Sequence, residues 1–442
     1  MSRQVLLFRQ FVDEDLGCAS YLVGDRAAGV AVVVDPSLQI EQYVEAAAAE
    51  EVRLERVLET HTHADHVSGH GRLALEHDVP VAIHPIADPD YPFEPLADDQ
   101  ELEVGQTRVR VIHTPGHRPE HCAFVVDGHM ALTGDSLFVG DAARPDLAVA
   151  AREGARDLFT SLERLAALGD DVEVYPGHVA GSLCGGNMSP DRCSTIARER
   201  STNPALRFAD VQAFVLDSAS ISTPRPPTTE RVVAINRGPW LPRPETPTEL
   251  DDPAGATVLD VRPFDVYAAG HLHGAINVPE AGASFGTRAG FVLAAGERVV
   301  LHARSEAEAL AAARKLWAVG ILELDGYLVE AQTPETLAVV DVDELKRLLE
   351  TADVQLVDVR ESSERDDGYI PGSKNIPYRL LRKLGPGALE RSKPVVTVCE
   401  SGSRATIAAS LLQRDGFDVR AVAEGGVATF EGDVVSFRRC GA

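Results

Sequence analysis

Short, nearly continuous apolar runs (VAVVVDP, VRVIHTP, CAFVV and DVEVYPGH) alternate up to about residue 215 with stretches of helical spacing, IEQYVEAAAAEE and ARDLFTSLERLAALG. Runs of about four to eight β-branched and aromatic residues bounded by Gly, Pro or Asp read as strands, and the amphipathic stretches read as helices. Their alternation predicts layered α/β structure. SISTPRPPTTE and PWLPRPETPTEL then interrupt the pattern. Proline removes a backbone donor and fixes φ, so both read as linkers or boundaries. Between them, RVVAIN reads as a short strand-like piece.

The remaining chain repeats itself. VLDVRPFDVYAAGHLHGAINVP begins at Val258 and LVDVRESSERDDGYIPGSKNIP begins at Leu356. Asp260, Arg262, Gly274, Asn277 and Pro279 recur without a gap as Asp358, Arg360, Gly372, Asn375 and Pro377. The unit is a whole small α/β domain rather than a solenoid repeat, which would be about 20–50 residues. Three domains are therefore expected, at 1–225, 226–335 and 336–442, and 442 residues are too many for one ordinary domain.

Composition narrows the partners. The formal net charge of −26 repels nucleic acid and anionic membrane surfaces, so neither is an expected partner. No run reaches the ~18 apolar residues that span a bilayer. The opening MSRQVLLFRQFVDED lacks the apolar core of a secretory signal, so a cytoplasmic location is expected. Cys18, Cys122, Cys184, Cys193, Cys399 and Cys440 are scattered without a disulfide framework, as in a reducing compartment.

Thr60–His66 reads THTHADH and follows the strand-ending stretch EVRLERVLE. Three histidines and an aspartate so close together converge on a cation only in a loop or tight turn, and imidazole with carboxylate suits zinc or iron. His117 in HTPGH, Asp135 in LTGD and His178 in YPGH stand likewise after β-rich runs and beside glycine, where strands deliver side chains to a site. Together they make a metal centre.

These motifs, in this order, resemble the metallo-β-lactamase superfamily over about residues 1–215. The resemblance implies an αββα sandwich with metal at one edge of the sheets. It also implies a motif able to hold two metals. His61, His63 and His117 would take the first, Asp65, His66 and His178 the second, and Asp135 would bridge them. TGDSLFVGDAARPDL and YPGHVAGSLCGGNMS further resemble the corresponding segments of bacterial persulfide dioxygenase–rhodanese proteins, although Ala142 and Ala143 stand where that family often has glycine. That resemblance implies one Fe(II) per chain on His61, His117 and Asp135, with zinc the alternative metal. Two imidazoles and a carboxylate on one face leave positions open for O2 and a substrate sulfur. His63, Asp65, His66 and His178 would then orient the ligands, and Cys184 would line the cavity.

In the second repeat KPVVTVCESGSRATIAASLLQRDGF ends a β-rich run at Cys399, and a helical run starts near Ala405. Loop N–H groups and the helix N-terminus would face the sulfur and hold a thiolate or persulfide. Gly402 permits the tight turn, and Arg404 adds fixed positive charge for sulfite or thiosulfate. CESGSRA, with DVRE before it and EGGVATF after it, resembles a rhodanese domain over about 337–442, with Phe430 where tryptophan is more usual. The first repeat, over about 232–332, resembles a degenerate rhodanese domain. Ala303 takes the nucleophile's place there, and Glu306 and Glu308 the places of Gly402 and Arg404. It is expected to be inactive. Cys18, Cys122, Cys193 and Cys440 are read as structural or incidental.

The expected function follows from those resemblances. A low-molecular-weight thiol persulfide is oxidised with O2 to sulfite, and Cys399 transfers sulfane sulfur to give thiosulfate, as in sulfide oxidation. The alternative is a binuclear zinc thioester hydrolase of glyoxalase II type with an appended sulfurtransferase. A sulfur carrier with a merely structural metal is a third reading, disfavoured because closed structural sites use about four protein ligands. A homo-oligomer is compatible with the degenerate repeat.

Overall fold

A computed structural model of the chain describes residues 5–145, 148–179, 188–218, 225–294, 296–351 and 353–430. Contacts divide it into two compact units, 1–244 with 317–320, and 245–316 with 321–442.

The first unit holds two six-stranded sheets. One orders Leu6–Val12, Ala19–Asp25, Val30–Val34, Arg53–Leu58, Val81–Ile83 and Glu94–Pro95. The other orders Ser194–Thr195, Glu173–Pro176, Met130–Gly134, Cys122–Val126, Thr107–His113 and Glu101–Val104. The unbroken apolar runs VAVVV and CAFVV are explained by strands buried on both faces. Val32 and Val34 point into the core between the sheets, whereas Ala31 and Val33 meet Tyr43, Ala46 and Leu73 of the helices Glu41–Ala49 and His70–His77. On the second sheet, Phe124 and Val126 face inward, and Ala123 and Val125 meet Leu158, Leu162 and Leu165 of the helix Ala151–Ala166. The layers are αββα.

RVVAIN is not a strand. It lies in the helix Thr229–Arg237, which buries Val232 and Asn236 one turn apart and belongs to the first unit. Short apolar runs do not distinguish strand from helix, and here docking of one helical face decides. The first unit accordingly includes the chain up to Pro244.

The second unit contains the repeat. Parallel strands order Ile276–Asn277, Thr257–Asp260, Val299–His302 and Leu324–Leu328 in one sheet. The other sheet orders Lys374–Asn375, Gln355–Asp358, Val395–Val398, Val419–Val422 and Ala338–Val340, again all parallel. Asp260 pairs with His302 as Asp358 pairs with Val398, so Ala303 occupies the place of Cys399. Among the described residues no helix is long and apolar enough to cross a membrane.

Candidate metal and thiol sites

His61, His117, Asp135 and His178 each lie just beyond the C-terminal end of a strand: Arg53–Leu58, Thr107–His113, Met130–Gly134 and Glu173–Pro176. The sheets thus deliver all four to one edge of the sandwich. Gly134, at φ +50°, is required before Asp135, because a Cβ there would lie 2.7 Å from His121 Nε2 and 2.9 Å from Thr60.

His61, His117 and Asp135 are buried, each offering a ligand atom within 4.8 Å of the others. His117 Nε2 lies 3.4 Å and His61 Nε2 3.9 Å from Asp135 Oδ2. His61 Nε2 and Asp135 Oδ2 are buried without a hydrogen-bond partner, the state of donor atoms shaped for a cation. Burial, and then the neighbouring His63 ring, hold His61 well below the ordinary imidazole value, and burial lowers His117 too, so both present neutral lone pairs.

The surrounding hydrogen bonds aim those atoms. His61 Nδ1 bonds Thr60 Oγ1 at 2.8 Å, and that hydroxyl donates to Asp35 Oδ2 at 2.9 Å. His117 Nδ1 donates to the Arg144 carbonyl at 3.1 Å. His178 Nδ1 holds Asp135 Oδ1 at 2.7 Å, leaving Oδ2 for a metal, and His178 Nε2 meets Asp65 Oδ2 at 2.8 Å. Burial works against the charge on Asp135, but His178 outweighs it and keeps the carboxylate ionised.

His63 turns elsewhere. Its Nε2 lies 3.2 Å from both Asp35 Oδ1 and Glu59 Oε2. Burial opposes its charge, yet the two carboxylates outweigh that and push it well above the ordinary value. The motif thus separates into His61 toward the triad, His63 toward this carboxylate pair, and Asp65 with His66 toward His178 and Cys18.

Sequence reasoning missed several site residues. Cys18, expected to be structural or incidental, puts its Sγ 3.2 Å from Asp65 Oδ2, 3.2 Å from His178 Nε2 and 3.5 Å from His66 Nδ1. Burial, and then Asp65, push its thiol well above the ordinary value. Nothing in GCASYL marks it, because its neighbours come from residues 65–66 and 178. His121 accepts the Asp135 backbone N–H on Nε2 at 2.9 Å and bonds Thr114 Oγ1 through Nδ1 at 2.8 Å. Burial brings its pKa down to about 3, so it stays a neutral acceptor.

Asn236, assigned to a strand-like linker piece, ties down the histidine motif. Its Oδ1 accepts the Ser68 N–H at 2.9 Å, and its Nδ2 donates to the carbonyls of His63 and His66 at 3.0 and 2.8 Å. Replacing it by alanine leaves these buried groups unpaired, and a loss of roughly 3 kcal/mol in denaturant unfolding is expected. The metal content of the folded fraction should fall with it. A stability unchanged within about 0.5 kcal/mol would contradict this role. Cys184 and Cys440 lie outside the described residues.

In the second unit Cys399 follows the strand Val395–Val398, and the helix Ser403–Arg414 begins four residues later, slightly ahead of the expected Ala405. Cys399 Sγ accepts the Gly402 N–H at 3.1 Å. Gly402 adopts φ +97°, and any Cβ would collide with the Ala423 carbonyl. Arg404 forms a two-pronged pair with Glu364 at 2.6 and 2.7 Å. Arg360 holds Asp358 and, at 2.9 Å, Glu400. A cavity of about 400 Å³ opens beside this loop, lined by Arg360, Glu364, Asp367, Glu400 and Phe430 among others.

The first repeat fills the equivalent cradle with its own carboxylate. Glu308 accepts the Arg304 backbone N–H at 2.6 Å and pairs with the Arg304 guanidinium at 2.7 Å. Ala303 offers no nucleophile, and His302 Nδ1 is bonded to Asp260 at 3.1 Å.

Comparisons with known proteins agree with this architecture. Residues 13–178 match the model of the metallo-beta-lactamase superfamily, and 246–330 and 341–432 match that of the rhodanese-like domain. The mitochondrial persulfide dioxygenase ETHE1 of Bos taurus is 30% identical over 239 residues, 52% of this chain and 87% of that protein. A hydroxyacylglutathione hydrolase of Alkalilimnicola ehrlichii is 34% identical over 193 residues, 42% of this chain and 72% of that protein. Among solved structures, a metallo-beta-lactamase from Staphylococcus aureus superposes with a TM-score of 0.69 at 27% identity, covering 74% of this chain and 100% of the other.

Proposed function

Because the chain belongs to the metallo-beta-lactamase superfamily and carries two rhodanese-like domains behind that fold, we propose that it oxidises a low-molecular-weight thiol persulfide at iron and moves sulfane sulfur through Cys399. The observation that carries this reading is the one-sided donor set. His61 Nε2, His117 Nε2 and Asp135 Oδ2 converge, while His63 is engaged by Asp35 and Glu59. Two imidazoles and one carboxylate fit a ferrous centre of the facial type, and the two unsatisfied buried atoms fit a bound cation. Ferrous iron, when bound there, supplies O2 activation beside a substrate sulfur.

The chain's own residues do the positioning. His178 orients Asp135 through Oδ1, His121 holds the Asp135 backbone, and Thr60 and the Arg144 carbonyl fix the two imidazoles. The overall reaction, RSSH + O2 + H2O → RSH + sulfite + 2 H⁺, returns the carrier thiol. At the second site the Cys399 thiolate attacks the outer sulfur of a persulfide, and RSH leaves with a proton. Sulfite then attacks that sulfur, so that thiosulfate departs and the thiolate is restored. The Gly402 N–H and the start of the helix Ser403–Arg414 steady the charge on sulfur.

The first repeat serves as scaffold in this reading. Its Asn277 N–H donates to Ser410 Oγ at 3.1 Å, on the helix that carries the Cys399 loop, and its Glu297 pairs with Arg382 at 2.6 Å.

The likeness to hydroxyacylglutathione hydrolases favours a second reading, a binuclear zinc thioester hydrolase. Anaerobic purification with metal quantification, followed by O2 uptake on a panel of persulfides, separates the two. One iron per chain with persulfide-dependent uptake is expected. Two zinc ions per chain without O2 uptake would overturn the dioxygenase reading.

A further inference from the structure

The register of two neighbouring strands builds another cluster of donors, apart from the triad. Val34 pairs with Leu58 in parallel, so Asp35 and Glu59 leave the two strand ends side by side. His63 meets both carboxylates. The three residues are 3%, 1% and 3% exposed, and each offers a ligand atom within 4.8 Å of the others. Two carboxylates held together away from water repel each other, and burial raises the cost of each charge.

The surrounding hydrogen bonds leave one set of atoms over. Glu59 Oε1 accepts the Ser68 hydroxyl at 2.5 Å and the His70 Nδ1–H at 2.9 Å, whereas Oε2 is buried without a hydrogen-bond partner. Asp35 accepts the Thr60 N–H on Oδ1 at 2.7 Å and the Thr60 hydroxyl on Oδ2 at 2.9 Å, and each oxygen has a second lone pair to give. His63 Nε2, 3.2 Å from Asp35 Oδ1 and 3.2 Å from Glu59 Oε2, is likewise buried without a hydrogen-bond partner. Asp135 is built in the same way, with one oxygen held by His178 and the other left over.

The distances separate a proton from a metal ion. A ring N–H given to a carboxylate draws its oxygen to about 2.7–2.9 Å. His178 does this with Asp135 at 2.7 Å, and His70 with Glu59 at 2.9 Å. His63 Nε2 does it with neither oxygen. Around one ion with bonds of about 2.0–2.2 Å, neighbouring donors stand roughly 2.8–3.6 Å apart. Both separations at His63 fall in that interval. The carboxylate pull that favours a proton on His63 favours a divalent cation in the proton's place.

We infer that Asp35, Glu59 and His63 hold a divalent cation of their own, of the zinc or manganese class that imidazole and carboxylate suit. It ties the histidine turn to the ends of the strands Val30–Val34 and Arg53–Leu58. The inference goes beyond the iron reading, because this ion is additional to the one on the triad and shares none of its donors.

The test loads the full-length apoprotein with zinc and counts ions per chain by native mass spectrometry. Glu59→Gln keeps the side chain's shape and removes its charge. It should bind one zinc fewer than the native chain, the missing ion being held at least about tenfold more weakly. The same loss is expected when Glu59→Gln is added to His117→Ala, whose triad is already broken. Equal zinc counts with and without Glu59→Gln in both backgrounds would overturn the inference and leave the iron reading untouched. Should the Gln variant fail to fold, anomalous scattering from crystals of the native chain grown with zinc decides. A peak about 2.0–2.2 Å from both His63 Nε2 and Glu59 Oε2 is expected, and the lack of one there would overturn the inference.

Discussion

Replacing Asp135 by alanine is expected to lower the iron content of the purified chain at least tenfold and persulfide-dependent O2 uptake by on the order of 10³-fold. The effect is large because one carboxylate does three things. Its Oδ2 is the unsatisfied acceptor of the triad, its Oδ1 holds His178 Nδ1 at 2.7 Å, and its charge is sustained by that ring. Removing it leaves two neutral imidazoles, which bind a divalent ion far more weakly. His178 also loses a hydrogen-bond partner inside a buried site, at a penalty of about 1–3 kcal/mol. Asp135→Asn keeps the shape and a hydrogen-bonding oxygen but loses the charge, so it should keep the fold while losing most of the iron. Metal quantification and oxygen electrode traces on the same preparation check both variants. An alanine variant that retained a full complement of iron and normal uptake would remove Asp135 from the centre.

Cys399→Ser is expected to cut sulfur transfer to sulfite by 10³-fold or more, on the order seen when a covalent nucleophile is removed, while O2 uptake stays within about twofold. The hydroxyl fits the loop and can accept the Gly402 N–H, so the fold should survive. It does not ionise as a thiol does, and so cannot carry sulfane sulfur. With persulfide supplied, the product should shift from thiosulfate to sulfite. Product analysis by thiol-labelling chromatography after single turnovers reads this directly. Undiminished thiosulfate in the variant would sever the proposed link between the two sites.

The metal motif was legible because its ligands sit where β-rich runs end. THTHADH, HTPGH, TGD and YPGH each follow a strand, and strand ends converge at one edge of a sandwich. The Cys399 loop was legible for the same reason, and the degenerate copy was legible by subtraction. Glu308 went further than subtraction allowed, since its carboxylate occupies the loop amide rather than merely repelling an anion. RVVAIN was misread because a six-residue apolar run carries no usable period. The burial of Val232 and Asn236 on one helical face settles it, and only the rest of the fold supplies that face.

By itself, the amino-acid order determined the layers, the duplicated domain and the identity of the ligand-type side chains. These depend on local periodicity, on glycine and proline at turns, and on chemistry that each residue carries wherever it lies. Only the tertiary structure decided which histidine faces which carboxylate, that Asn236 anchors the motif, and that Cys18 reaches Asp65, His66 and His178. The contacts of Cys18 and Asn236 join residues separated by 47 to 173 positions through strand register and helix docking. A shift of one residue in the register between the segments around Cys18 and His178 would turn the thiol to the opposite face, and no pattern along the chain encodes that choice.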